Sequence, residues 1–267
     1  MVASTGRMLR GPALACLALT LSWAFWPGAG GVAAQAALPV DVEAGASREV
    51  LTGDQEPWED YWIRATVRPA PGTFVYGGVR HTRRFGQEDQ QLEAGGGMPI
   101  APRWTLRLEG TWSPTQRVLP IWGASGMVSH NLAPGWVLSV GGGRQVWDVT
   151  GVNRQHVGVV RHFPPFRLGY RLSLHQVDIG GSGVRHGVTG GWTYDRRGSD
   201  LAVWLGTGRD AMIIGPQDVR SVTERSAGVS GTHWLDRNTG IGYNFGIHRH
   251  GPHFTRTSSS VGIRRRL

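Results

Sequence analysis

The clearest pattern in the chain is a strict alternation of apolar and polar residues between positions 166 and 195. The apolar phase of its first arm consists of Phe166, Leu168, Tyr170, Leu172 and Leu174. The phase between them consists of Arg167, Gly169, Arg171, Ser173 and His175. After the Gly-rich turn GGSG, a second arm alternates in the same way up to Asp195. Alternation with period two across such a turn predicts a β-hairpin with one face for an apolar environment and one for water.

Similar alternation runs through the chain from position 39 to its end and predicts fourteen strands. They cover 39–51, 61–68, 73–85, 90–100, 103–113, 121–132, 136–148, 153–163, the two arms of 166–195, 201–208, 227–235, 240–249 and 254–267. We therefore predict an all-β fold: a closed antiparallel transmembrane β-barrel of about 14 strands in an up-and-down meander. Its longest loop is expected at 210–223. A soluble sandwich of two sheets is the main alternative.

Aromatic residues on the apolar phase favour the barrel over the sandwich. Trp104 and Trp112 lie eight residues apart on one face of the strand 103–113. At ~3.3 Å per residue and a tilt near 40°, they are separated by roughly 20 Å along the membrane normal, close to the ~25 Å apolar band of a membrane barrel. We predict aromatic girdles at both edges of this band, formed by Trp104, Trp112, Trp136, Tyr170, Trp192 and Tyr194.

The first 36 residues have the pattern of a secretory signal peptide. Arg7 and Arg10 precede an apolar run over 12–27, and the small-residue site Ala34-Gln35-Ala36 follows. A membrane anchor is the alternative, but the run is shorter than the ~20 residues that a spanning helix needs. We predict cleavage after Ala36, with cleavage after Ala34 as the alternative, and export to the bacterial outer membrane. The barrel domain is then expected over 37–267, which contains no cysteine.

The chain contains no lysine, and its 28 arginines against 19 acidic residues give a formal net charge of +9 with histidine neutral. They are scattered at alternate positions of the strands rather than clustered, which argues against a nucleic-acid partner. Because an arginine facing lipid costs ~2–4 kcal/mol near the midplane, we expect the polar phase to face the lumen. There the arginines either line a passage that favours anions or pair with carboxylates and close it. The predicted lumen residues are Arg64, Arg68, Arg103, Arg107, Glu109, Arg167, Arg171, Arg185, Asp195, Arg264 and Arg266.

Two groups of residues are candidates for a metal site or a catalytic site, and the sequence favours neither. His248, His250 and His253 have the look of a metal cluster, but no carboxylate lies near them in the sequence. Ser173 and His175 share a face, yet two residues in one strand are ~6.6 Å apart, too far for a direct hydrogen bond. We predict no metal and no cofactor, and we do not expect an enzyme.

Three segments resemble the YaiO family of outer-membrane β-barrel proteins: 136–148, 167–194 with its GGSGVRHG turn, and SGTHWLDRNTGIGYNFGIHRHG at 230–251. The resemblance implies an exported barrel, and some family members have contexts suggestive of cell-surface polysaccharide. It also implies recognition by the barrel assembly machinery through a C-terminal signal, which Ser260, Gly262 and Leu267 fit. Leu267 is not aromatic, and Arg265 occupies an apolar position of that signal.

These observations lead to one main functional hypothesis and two alternatives. The main hypothesis is a monomer in contact with outer-membrane lipid that forms a narrow, arginine-lined pore for small anionic or glycan solutes or serves polysaccharide export. A non-conducting structural or adhesive barrel that acts through loops such as 210–223 is the first alternative. A lipid- or glycan-modifying enzyme is the second.

Overall fold

A computed structural model describes residues 38–53, 56–179, 181–215 and 218–267 of the protein. The predicted signal peptide lies outside these residues. Fourteen strands form a closed barrel in which each strand pairs with its neighbours in sequence and β14 pairs with β1. The strands are β1 Val40–Leu51, β2 Trp58–Ala70, β3 Thr73–Arg84, β4 Gln87–Ala101, β5 Trp104–Trp112, β6 Trp122–Ala133, β7 Trp136–Val146, β8 Gly151–Phe163, β9 Phe166–Val177, β10 Gly181–Thr193, β11 Asp200–Gly215, β12 Asp218–Trp234, β13 Thr239–His250 and β14 Phe254–Arg266.

The structure confirms the predicted fold. Because the barrel is closed, every strand has a neighbour on each side with which its backbone can form hydrogen bonds. All fourteen pairs are antiparallel, including the closing pair in which Gly45 of β1 faces Gly262 of β14. A closed sheet has no edge strand, so no row of N–H and C=O groups is left unpaired in lipid. The sandwich alternative is thereby excluded. The described part of the chain contains no helix long and apolar enough to cross a membrane.

The apolar phase of the strands forms the outer wall. Large apolar side chains on this phase are about half exposed, among them Leu108, Val140, Leu168 and Ile263. In water such a surface would be unfavourable over so large an area, whereas hydrocarbon accommodates it. The outer wall therefore has the character of a lipid-facing band.

The two ends of the barrel differ in their connections. The end that holds Val40 and Arg266, here called the terminal rim, has mostly two-residue turns such as 71–72, 134–135 and 164–165. The other end, here called the distal rim, carries the longest connection between strands, 113–121. Short turns at the end of the chain termini and longer loops opposite are typical of outer-membrane barrels.

The predicted loop at 210–223 is wrong. β11 and β12 continue through this stretch as a paired hairpin whose register runs from Asp200↔Thr232 to Gly215↔Asp218. The prediction failed because alternation stops in the sequence Ala211-Met212-Ile213-Ile214, while the strand itself continues. The predicted GGSG turn at 180–183 overlaps β10, which already begins at Gly181.

Candidate functional site

The polar phase of the strands faces the barrel interior. Arg64 on β2 donates from Nε to Glu93 on β4 over 2.8 Å, although β3 lies between the two strands. Arg185 on β10 donates from Nε to Glu224 on β12 over 3.0 Å, across β11. The neighbours Ile63 and Leu92 are about half exposed on the outer wall, so Arg64 and Glu93 lie on the opposite, interior face. Because side chains alternate between the two faces along each strand, the other residues on the same phase as these arginines also face the interior.

Most of the interior arginines hold a carboxylate partner on another strand. Besides Arg64 and Arg185, the pairs are Arg68 with Asp41, Arg84 with Asp60 at 3.1 Å, Arg167 with Asp200 at 2.9 Å, Arg256 with Glu49 at 3.2 Å, and Arg264 with Glu43 at 3.1 Å between Nε and Oε2. Arg266 lies 3.9 Å from Asp41. Positive charge on the interior wall is therefore largely neutralised within the wall itself.

Arg107 and Arg171 differ from the other interior arginines. Within the described ranges neither forms an ion pair or a hydrogen bond with a carboxylate. The guanidinium of Arg107 lies 5.6 Å from the ring centre of Phe74, and Arg171 faces Gly158 across the β8–β9 pair. These two side chains leave positive charge uncompensated in the middle of the barrel.

Two interior cavities meet at Arg171. The first, of about 550 Å³, is lined by Arg107, Arg154 and Arg171 together with glycine and serine residues of β6 and β7. The second, of about 460 Å³, lies between β7 and β11 and is lined by Arg167, Arg171 and Arg185. Gly187 faces Arg171 across the β9–β10 pair, and a Cβ at this glycine would meet only two backbone carbonyl oxygens, each 3.9 Å away. A guanidinium with no carboxylate partner among the described residues thus lies between two cavities, each large enough for a small solute.

Two of the predicted lumen residues lie in turns outside the strands, and a third has a partner other than an arginine. Arg103 lies in the two-residue turn before β5, with a φ of 70°. Asp195 lies in the turn after β10, where its carboxylate accepts backbone N–H groups of Arg197 and Ser199. The hydrogen bonds from Ser199 hold the pKa of Asp195 below its usual range. Glu109 faces the interior, but its partner is the hydroxyl of Tyr76, which donates over 2.6 Å.

The aromatic residues of the predicted girdles lie on the outer wall at different heights. Trp104 and Trp136 begin β5 and β7 at the terminal rim, where Trp192 and Tyr194 also lie, whereas Trp112 ends β5 at the distal rim. The remaining residue, Tyr170, is four residues into β9 and donates or accepts a 2.8 Å hydrogen bond with His186.

The predicted assembly signal lies on the last strand and just beyond it. Ser260 and Gly262 face the interior, in register with Ser47 and Gly45 of β1. Leu267 follows β14, donates its N–H to the carbonyl of Val40 over 2.8 Å and is exposed. The exposed leucine leaves an apolar side chain beside the strand pair that closes the barrel.

The tip of the β11–β12 hairpin lies across the distal mouth. Ala211 and Ile213 pack against Trp147, Val152 and Val177 at the ends of β7, β8 and β9. Met212 and Ile214, on the opposite face of the same strand, pack against Leu51, Trp58 and Phe254 at the ends of β1, β2 and β14. One hairpin can contact both sides of the barrel only by spanning the opening. The mouth is therefore covered.

A glycine marks the point at which the hairpin leaves the wall. Pairing between β10 and β11 ends at Arg185↔Gly208, whereas pairing between β11 and β12 continues. Gly208 has a φ of 136°, and a Cβ there would lie 2.2 Å from the carbonyl oxygen of Val184. Only glycine adopts this conformation readily. The local backbone thus directs β11 inward.

Polar contacts hold the hairpin against the wall. Arg154 of β8 donates to the carbonyl of Ala211 over 3.0 Å, and Asp210 lies 3.5 Å from Arg154 and 3.7 Å from Arg185. His175 and Ser221 are joined by a 2.9 Å hydrogen bond between Nε2 and Oγ. The sequence analysis missed Ser221 as the partner of His175, because it lies 46 residues further along the chain.

The hydroxyl of Ser221 lies within hydrogen-bonding distance of two groups, the carbonyl oxygen of Ser182 at 3.0 Å and Nε2 of His175 at 2.9 Å. A hydroxyl has one proton, so it donates to one of these two groups at a time. Ser173, the serine considered in the sequence analysis, faces Arg185 across the β9–β10 pair.

The loop 113–121 covers another part of the distal mouth. The carboxylate of Asp89 accepts N–H groups of Arg117, Val118 and Leu119 at 2.9, 2.6 and 2.7 Å. Val118 and Leu119 are buried, and the indole of Trp147 donates to the carbonyl of Val118 over 3.3 Å. A single buried carboxylate therefore fixes the backbone of this loop.

The histidine run has a carboxylate partner that the sequence analysis did not find. Glu224 accepts a 3.1 Å hydrogen bond from Nδ1 of His248, and the rings of His248 and His250 are stacked 6.0 Å apart. No group of three or more histidine, cysteine or acidic residues in the described ranges is arranged to hold a metal ion. Glu224 instead connects β10, β12 and β13 through Arg185 and His248.

We expect Glu224→Gln to destabilise the barrel. Glu224 is 5% exposed, and loss of its charge leaves Arg185 without its closest carboxylate. Removing one member of a buried pair costs about 3–5 kcal/mol. Urea unfolding of the refolded protein, followed by tryptophan fluorescence, measures this loss. Glu88→Gln on the exposed outer wall is the control, and an equal effect of both substitutions would contradict the assignment.

Comparison with known proteins places the chain in a family. The model of the family described as YaiO membrane beta barrel domain matches residues 40–209, more than half of the chain. The protein belongs to the YaiO family. The match to the YaiO domain ends before the segment 230–251, one of the three on which the resemblance rested. A search of curated proteins found no match.

Solved structures share the fold of this YaiO barrel at low sequence identity. The CymD monoaromatic hydrocarbon channel aligns with a TM-score of 0.58 at 7% identity, covering 86% of this chain and 88% of that one. A bacterial polysaccharide outer membrane secretin gives 0.54 at 8% identity, covering 85% and 98%. The translocator domain of the autotransporter NalP from Neisseria meningitidis gives 0.51 at 11% identity, covering 85% and 88%.

Proposed function

We propose that the protein is a narrow outer-membrane pore for small anionic solutes, including acidic sugars. The observation that carries this proposal is the position of Arg171, which faces two interior cavities without a carboxylate partner among the described residues. Paired arginines hold the wall together, whereas an unpaired guanidinium remains free to bind a passing anion. Arg107 supports the same role from the opposite wall of the larger cavity.

The covered mouth makes this pore a restricted one. A solute that enters from the distal side must displace the β11–β12 hairpin or pass beside it, because the tip of the hairpin contacts both sides of the opening. Passage from the distal side therefore depends on movement of the hairpin. This arrangement suits occasional or triggered transport better than constant free diffusion.

The orientation follows from the two rims. Short turns and both ends of the barrel domain lie at the terminal rim, which we assign to the periplasmic side, and the distal rim then faces outward. The family match and the exposed apolar band support insertion in the outer membrane. Export of the chain through a cleaved signal peptide is part of the same proposal.

The class of solute is inferred from the interior of this chain. The names of CymD and of the polysaccharide secretin concern a hydrocarbon and a polysaccharide, and at 7–8% identity those structures share only the fold with this protein. The interior here presents guanidinium groups and glycine-walled spaces of about 460–550 Å³. A small acidic sugar matches both the charge and the size.

Liposome swelling tests the proposal. The intact protein and a variant with a shortened hairpin are reconstituted separately and exposed to glucose or to glucuronate, which have similar sizes. We expect the shortened variant to admit glucuronate faster than glucose, and the intact protein to admit both more slowly. Heat-modifiable mobility on a gel confirms that each barrel is folded. A folded, shortened variant that admits neither solute, or that favours glucose, would show a non-conducting or neutral barrel instead.

A further inference from the structure

Two arginines face each other on the outer wall near the distal rim. Arg225 of β12 and Arg249 of β13 are directly opposite in the antiparallel register, and both are exposed. They share the outward phase with Ala227 and Ile247, the next pair toward the middle of the barrel. Like charges directly opposite each other destabilise a strand pair. No carboxylate in the described ranges pairs with either guanidinium.

Outward charges elsewhere on this rim are arranged differently. Across β1 to β4 the outward row reads Arg48, Glu59, Arg83 and Glu88, each in register with the next. The signs alternate, and Arg48 lies 3.9 Å from Glu59. This row neutralises itself, so the uncompensated pair on β12 and β13 is a local feature rather than a general property of the rim.

The height of the arginine pair corresponds to the edge of the apolar band. In the row below it, Leu205, Ala227 and Ile247 follow one another on β11, β12 and β13. In its own row, Thr207 of β11 and Thr255 of β14 flank the two arginines. Two guanidinium groups and two hydroxyls thus form one continuous polar row, about 14 Å long at ~4.8 Å per strand. It lies immediately above side chains that contact hydrocarbon.

We infer that this row binds the phosphate group of an anionic lipid in the leaflet beside the distal rim. A lipid phosphate lies at the level where the apolar band ends, and guanidinium groups bind phosphate through charge-assisted, bidentate hydrogen bonds. The threonine hydroxyls supply additional donors beside it. A bound phosphate also offsets the repulsion between Arg225 and Arg249. This inference is independent of the proposed pore, since the row lies on the outside of the barrel.

Lipid retention measured by native mass spectrometry tests the inference. The full barrel in a neutral detergent is mixed with phosphatidylglycerol or, separately, with phosphatidylcholine. We expect the intact protein to retain phosphatidylglycerol at least about tenfold more strongly than the double variant Arg225→Gln/Arg249→Gln, a difference of about 1.4 kcal/mol. Retention of phosphatidylcholine should not change. The control is Arg48→Gln/Arg83→Gln, which removes the same charge from the self-neutralising row.

Three results would overturn the inference. The first is equal phosphatidylglycerol retention by the intact protein and the Arg225/Arg249 variant, and the second is an equal loss in the Arg48/Arg83 control. The third is displacement of the lipid by inorganic phosphate at the same concentration, which would indicate a site for free phosphate. If the double variant does not fold by the heat-modifiable mobility test, Arg249→Gln alone is compared with Arg48→Gln under the same criteria.

Discussion

Replacing residues 210–222 by an Asn-Gly turn should convert a poorly conducting barrel into an open one. Arg209 and Thr223 are directly paired, so a two-residue turn can join them without disturbing the register below. The substitution removes the tip that spans the distal mouth and leaves Arg107 and Arg171 in place. We expect the fraction of time for which the channel is open in planar bilayers to rise by about a hundredfold.

The expected size of the effect follows from the apolar contacts of the hairpin. Met212, Ile213 and Ile214 are partly buried against the two sides of the mouth. Full burial of such a side chain is worth ~1.5–3 kcal/mol, and half of that for each gives roughly 3 kcal/mol in favour of the closed position. An equilibrium of this size leaves roughly one molecule in 150 open. Conductance of the intact protein should therefore be rare or brief.

Two point variants distinguish closure of the distal mouth by the hairpin from an unspecific effect of any substitution at the distal rim. Ile214→Ser weakens one apolar contact of the tip and should raise the open fraction by about tenfold, an effect of ~1.4 kcal/mol. Ile179→Ser alters an isoleucine at the distal rim that is 75% exposed, and it should leave conductance unchanged. If the shortened hairpin conducts no better than the intact protein, the tip does not close the passage.

Arg171→Glu in the shortened barrel should reverse its ion preference from anions to cations. Arg171 has no neutralising partner in the described part of the chain, so its charge acts directly on ions in both cavities. Two unit charges 4 Å apart interact by about 4 kcal/mol at an effective dielectric constant of 20, enough to control selectivity in a narrow passage. Arg107→Gln should weaken the preference for anions without reversing it. The ratio of chloride to potassium permeability measures both effects.

The control for these variants removes charge without changing the net charge of the interior. Glu43 and Arg264 form an ion pair on the interior wall, so the double variant Glu43→Gln/Arg264→Gln neutralises both partners together. We expect its selectivity to match that of the parent barrel. A shift as large as that of Arg171→Glu would mean that selectivity does not depend on the unpaired arginines.

The alternation of residues was sufficient to predict the strands because a membrane barrel has only two environments. In β9, Leu168 lies on the apolar face and Arg167 on the polar face, so the residue type at each position indicates which face it occupies. The hairpin tip breaks this rule. Residues 211–214 are all apolar because both faces of the strand are covered where it crosses the mouth, and a pattern search reads such a run as the end of a strand.

The ion-pair partners could not be predicted for a different reason. Glu93 lies on the interior phase of the predicted strand 90–100, whereas Glu224 precedes the predicted strand 227–235 and therefore had no predicted face. Their partners, however, are two strands away, at a height set by the stagger of the barrel. Neither the stagger nor the bend at Gly208 is encoded in the local alternation, so Glu109 and Asp195 were the acids that the sequence analysis selected.

The reversal potential of the barrel with the shortened hairpin, recorded in planar bilayers under a gradient of potassium chloride, tests the central claim most directly. An arginine-lined passage predicts a reversal potential close to the equilibrium potential of chloride. It also predicts a shift toward the potassium potential in the Arg171→Glu variant of the same barrel. A reversal potential near that of potassium in the barrel that retains Arg171, or no current from a barrel shown to be folded, would contradict the claim.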